Sequence, residues 1–136
     1  MTFLAVGSAA LLLALAVRLR RTYAVVRVDG SSMTPILADG DRLLARRVRA
    51  DGLSRDEIVI VRSPLPIGGP YLIKRIVALA GDPVPNAVRP AVPDDRVPYG
   101  QVVLLGDNPA ASYDSREHGY FRAADVLAVT IRRMRS

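Results

Sequence analysis

The sequence predicts a mainly β protein, a small antiparallel coiled sheet or barrel preceded by one N-terminal transmembrane helix. Three observations carry this. Residues 2–17, TFLAVGSAALLLALAV, hold no charge, and the basic stretch RLRR follows at 18–21. Beyond Arg21 the apolar pattern changes to short runs rich in β-branched and aliphatic residues. Clusters of Gly, Pro, Asp and Ser separate those runs, as in an antiparallel β domain.

Taken in order, residues 2–17 would span roughly 24 Å as a helix, short of a hydrocarbon core of about 30 Å. Adding Leu19 and Arg18, whose guanidinium can snorkel to the headgroups, brings the helix nearer to spanning. A removable signal peptide is expected to carry a basic leader, and Met1-Thr2 supplies none. The reading is therefore a membrane anchor with its basic flank over 1–21, with a buried helix of a soluble protein as the alternative. A β domain follows over 22–136. Its expected strands are YAVVRV at 23–28, DRLLARRV at 41–48, EIVIVR at 57–62, YLIKRIVAL at 71–79, QVVLLG at 101–106 and VLAVTIRR at 126–133. Segment 82–100 holds five of the ten prolines and reads as a long excursion outside the core.

Composition removes several functions. With no cysteine there is no disulfide framework, thiol nucleophile or thiolate zinc site. A single histidine, His118, argues against a histidine-clustered metal centre. The net charge of +6 suits either nucleic acid or an anionic membrane surface. The arginines are scattered, apart from clusters at 18–21, 45–49 and 132–135, and aromatic residues make up only 5%. No nucleic-acid-binding signature accompanies them, so no nucleic acid partner is expected.

Lysine usage is more telling. Eighteen of the nineteen basic residues are arginine, and the one lysine, Lys74, sits inside the apolar run YLIKRIVALAG. Arginine keeps its proton in a protein, whereas a desolvated lysine can become a neutral amine. A second polar feature is VDGSSMTPIL at 28–37, where Ser31 and Ser32 are either turn residues or the bearers of a reactive hydroxyl. A third is the polar loop GDNPAASYDSR at 106–116, directly after an apolar run. A serine hydroxyl becomes nucleophilic when a neighbouring base takes its proton, and a buried amine can be that base.

Together these pieces resemble the type I signal peptidase family of membrane-bound serine–lysine endopeptidases, as a minimal single-domain member. The likeness runs from about Ala24 to Asp125 in four blocks: GSSMTPIL, DEIVIVR, YLIKRIVALAGD and VPYGQVVLLGDNPAASYDSR. It implies that Ser32 is the nucleophile, because it precedes Met33-Thr34-Pro35, and that Lys74 is the general base. It further implies that Ser112 orients the lysine amine, that Asp114 and Arg116 form a supporting pair, and that Arg75 and Asp107 form a second. The implied reaction is removal of leader peptides from exported preproteins through an acyl-enzyme, without metal or cofactor. The substrate would bind as an added strand, with EIVIVR and the chain around Val28–Asp29 as pocket walls. Its oligomeric state is not implied.

Some positions depart from the family. Gly30 stands where Gram-negative-type members carry a serine that assists the oxyanion, and Pro109 stands where arginine is usual. The family works outside the cytoplasmic membrane, which implies a single-pass cell-membrane protein with an extracytoplasmic domain. RLRR after the apolar helix pulls the other way under the positive-inside tendency. Three other readings remain open from the residues: a self-cleaving repressor-type serine–lysine protease, a triad using His118 with Asp114 or Asp125, and a catalytically silent membrane-tethered β module.

Overall fold

A computed structural model describes residues 2–66 and 68–134. Helix α1, Thr2–Thr22, is followed without a linker by strand β1, Tyr23–Arg27. The 20 residues Phe3–Thr22 have a mean hydropathy of 1.8 and none of that stretch is buried against the rest of the protein. Its length, about 30 Å, and its composition suffice to cross a membrane. Both described hydroxyls along it are satisfied internally: Ser8 donates to the Leu4 carbonyl at 2.9 Å and Thr22 to the Arg18 carbonyl at 2.8 Å. An apolar medium requires that internal pairing.

The remaining strands are β2 Arg42–Arg47, β3 Ile58–Arg62, β4 Tyr71–Ala78, β5 Gln101–Leu105, β6 Phe121–Arg122 and β7 Val126–Met134. They form one antiparallel sheet of seven strands in the order β1-β2-β7-β3-β4-β5-β6. The register shifts at Leu44/Ala45, Ile60/Val61 and Ile76/Ala78. Such irregularities bend strands and increase local twist, which curls a sheet into a half-barrel. The mainly β expectation holds, with the six expected strands present and β6 added.

Alternation along β3 sorts the core. Val59 and Val61 face a cluster with Ile76, Leu104 and Phe121, while Ile60 turns to the other face beside Ala45 and Ala128. A further cluster, Val28, Met33, Leu37 and Leu43, lies directly under the Ser32 loop.

The expectation that 82–100 lies outside the core is corrected. Val84, Val88 and Val97 are buried with Ala78 of β4 and Val103 of β5, and Val88 is 0% exposed. The prolines do keep the segment out of the ladder. It instead forms a 3₁₀ turn at Asn86–Ala91, and the valines between the prolines pack onto the sheet.

Candidate active site

Ser32 sits in the turn between β1 and β2. Gly30 opens that turn at φ +87, a left-handed conformation that a serine would adopt only with strain, and its N–H donates to Asp39 Oδ1 at 2.8 Å. Met33 is 1% exposed and plugs the turn into the core below. The Thr34–Pro35 peptide is cis. The Ser32 N–H meets no acceptor among the described residues.

Lys74 lies at the middle of β4, opposite Val59 of β3, and is 2% exposed. Burial pushes its amine below the ordinary lysine value; the nearby Asp114 carboxylate opposes that shift and Arg116 reinforces it.

Ser32 and Lys74 line one narrow cleft of about 130 Å³. One wall is the consecutive run Val26–Asp29 and the other is Gly68–Lys74. Consecutive residues of a strand point to opposite faces, so a cleft touching all of them looks onto strand edges. Among the described residues those edges have no partner: β1 ends the sheet, and Tyr71–Ile73 pair with β3 alone, since β5 joins β4 only from Arg75 onward. EIVIVR, expected as a wall, does not line the cleft; as β3 it sits on the far side of β4, paired to it.

The loop after β5 packs against the Ser32 turn. Asp114 is fully buried and holds it together: its Oδ2 accepts from the Ser112 hydroxyl at 2.6 Å and the Gly106 N–H at 2.8 Å. Its Oδ1 accepts from Arg116 N at 3.1 Å and Nε at 2.9 Å, and Arg116 Nη2 also bonds to Oδ2. Burial pushes the Asp114 carboxyl up, but Arg116, Ser112 and the two backbone N–H groups outweigh it and hold it at about 2. Asp114 also starts helix α2, Ser115–His118. Arg75 and Asp107 are joined by two parallel bonds, at 3.0 and 2.8 Å, and Arg75 reaches the Asp56 carbonyl at 2.8 Å. No hydrogen bond joins the Lys74 amine to either serine hydroxyl among the described residues; Ser32 and Lys74 line the cleft, whereas Ser112 does not and lies beside Gly106, close to the Ser32 carbonyl.

Residues not singled out from the sequence tie the two loops together. The Asn108 N–H donates to the Ser32 carbonyl at 2.9 Å, and its side-chain amide donates to the Ser31 carbonyl and to Thr34 Oγ1, both at 3.0 Å. Gly106 lets Ser112 and the Ser32 carbonyl come close; a Cβ there would fall 2.1 Å from Ser112 Oγ. Ser115 Oγ accepts the Leu104 N–H at 2.9 Å, fixing α2 to β5. Pro109 begins the 3₁₀ turn Pro109–Ala111, where a missing N–H leaves no bond unmade.

His118 does not line the cleft. Its ring packs on Phe121 with centroids 4.5 Å apart and meets Tyr113 Oη through Nδ1 at 3.4 Å. No group of three metal-ligating side chains occurs among the described residues.

The family model for signal peptidase, peptidase S26, matches residues 1–87 and 85–134. The chain belongs to this family. It is 36% identical over 107 residues to the mitochondrial ATP-independent inner membrane protease subunit 1a of Arabidopsis thaliana, covering 74% of this chain and 63% of that protein. It is 26% identical over 138 residues to signal peptidase I V of Bacillus subtilis, covering 76% of this chain and 80% of that protein. The chain thus spans less than two thirds of the plant relative's length. Family membership places the chain among peptidases of the signal peptidase type, and the plant relative is named as an inner membrane protease.

Proposed function

We propose that this peptidase removes leader peptides from exported preproteins with Ser32 as nucleophile and Lys74 as general base. The observation that carries the reading is the buried lone lysine opening on the same cleft as Ser32. Desolvation favours its neutral form, and a neutral amine has the lone pair a base needs.

The preprotein enters extended, its backbone pairing with the free edges of β1 and β4. Lys74 Nζ takes the Ser32 proton as Oγ attacks the scissile carbonyl carbon. The unpartnered Ser32 N–H donates to the oxyanion of the tetrahedral intermediate. Collapse breaks the C–N bond, the leaving amine takes the proton from the Lys74 ammonium, and Ser32 is left acylated. Lys74 then deprotonates water for deacylation.

Ser112 orients the base. Its proton is committed to Asp114, so toward Lys74 it offers only lone pairs. Accepting a Lys74 N–H there turns the amine lone pair toward Ser32. Asp114 with Arg116, and Arg75 with Asp107, hold the loops on either side. Residues 1–21 anchor the protein by a single pass, and the β domain 22–136 works on the extracytoplasmic side.

Turnover of a presecretory peptide by purified protein tests the chemistry. Ser32→Ala and Lys74→Ala abolish it, and His118→Ala leaves it intact; processing unchanged in Ser32→Ala overturns the assignment. Protease accessibility in sealed cells against inverted vesicles reports the side of the membrane.

A further inference from the structure

The β1 wall of the cleft carries two opposite charges at its free edge. Val28, just beyond β1, turns both backbone groups to the chain before β2: its N–H donates to the Asp41 carbonyl and its carbonyl accepts from the Gly40 N–H, both at 2.8 Å. Backbone groups alternate in direction along an extended strand, so those of Arg27 and Asp29 turn the other way, to the cleft that both residues line. Their side chains share one face as well. Val26 and Val28 point inward to apolar clusters, whereas Arg27 and Asp29 are exposed.

Neither charge is fully matched within the chain. Arg27 stands beside Arg42 of β2, and like charges side by side repel. Its one carboxylate partner among the described residues is Asp29, at 3.8 Å, and both side chains lie more than two-thirds in solvent. An exposed pair at that distance is weak and readily exchanged. Direction also follows from the walls. Three strands, each antiparallel to the next, separate β1 from β4, so the two run parallel, one toward Ser32 and the other up to Lys74. A leader ending at a scissile bond over Ser32 lies parallel to both. It is the half that stays on Ser32 as the ester, so the narrow cleft suits it, while the departing half needs an open exit.

We propose that Arg27 and Asp29 read the order of charges on the leader: an acidic side chain beside Arg27, and a basic one two residues nearer the scissile bond, beside Asp29. The inference rests on the Ser32–Lys74 reading and names the substrate class for that same site. Residues two apart on an extended guest share a face, so both side chains meet their partners at once. The acid also offsets the repulsion between Arg27 and Arg42.

Peptides with a Glu-x-Lys triplet stepped through the residues before the scissile bond are compared with the same peptides carrying Lys-x-Glu. Each pair has one composition and differs only in order. With the full chain, the expected result is one register at which Glu-x-Lys is cut about tenfold faster in kcat/KM. The preference shrinks toward unity in about 1 M salt. It reverses at the same register in the double variant Arg27→Asp, Asp29→Arg. Should that variant fail to fold, the salt titration of the parent decides alone. Equal rates for both orders at every register overturn the inference and leave the Ser32–Lys74 reading standing. So does a preference that ignores salt, survives the swap unchanged or arises only after the scissile bond. A parent that cuts no peptide, charged or neutral, overturns that reading and this inference together.

Discussion

Gly106 lies directly against Ser112. A β carbon at position 106 would sit 2.1 Å from Ser112 Oγ, 2.6 Å from its Cβ and 2.8 Å from the Ser32 carbonyl oxygen. The third of these is backbone, and Ser112 is itself held by Asp114, so neither neighbour can give way cheaply.

Gly106→Ala is therefore expected to push the Ser112 loop off the Ser32 turn. Overpacking of this kind costs about 1–3 kcal/mol. Displacing Ser112, the residue proposed to orient the base, should lower kcat by at least ~10²-fold, following the sensitivity of rate to small misplacements. Urea midpoints and peptide turnover on the same preparation check both.

Asn108→Ala removes two side-chain bonds to the Ser31–Thr34 turn and keeps the backbone bond to Ser32. A stability loss of about 1–2 kcal/mol is expected. The loss in kcat should exceed the change in KM, because Asn108 does not line the cleft. Steady-state kinetics separate the two.

Lys74 sets stability against activity. Its amine is depressed by burial, so below its folded value the fold carries a desolvated ammonium, and stability rises as pH climbs from that value toward 10.5. Lys74→Met should be inactive and melt at a higher temperature than the parent at neutral pH. In the parent, activity should rise with pH well below 10.5, as the amine deprotonates. A Lys74→Met protein that melts lower would contradict this.

Asp114 titrates in the opposite sense. Its folded value of about 2 lies below the ordinary 3.8, so its contribution is complete above the ordinary value and disappears as pH falls through about 2. The contribution is about 2 kcal/mol. Asp114→Asn should lose it at neutral pH and show a flatter denaturation midpoint between pH 5 and 2.

Val88 tests the proline-rich segment. Its complete burial against β4 and β5 predicts that Val88→Ala destabilises the domain by about 2 kcal/mol, where an idle surface loop would register almost nothing. Thermal melts of the pair suffice.

What the chain alone revealed follows from the range of each interaction. The six longer strands were legible because alternation and β-branched runs are local signals. β6, two residues long at Phe121–Arg122, carries no periodicity to read. The proline-rich segment misled because proline does exclude a chain from a ladder but does not stop Val84, Val88 and Val97 from packing on one. At the cleft, Ser32 and Lys74 stood out by residue type: a serine in a tight turn and the sole lysine. Gly106, Asn108 and Ser115 did not. Their roles are approaches between segments tens of residues apart, such as Asn108 with Ser31, and spacing does not encode those. Of the two expected walls, Val28–Asp29 does line the cleft, whereas the second wall, Gly68–Lys74, was hidden for the same reason: β3 shares the apolar character of β4 but lies on its paired side.

The two unpaired strand edges impose a demand on any guest before a single side chain is compared. A helix has already spent its amides and carbonyls on itself and offers nothing to such edges. Under the proposed function a segment to be cut must therefore unwind locally, and a proline where an amide is required would be refused. Selection thus starts with how readily a few residues give up their coil, and the shape of the recesses refines a choice the backbone has already narrowed.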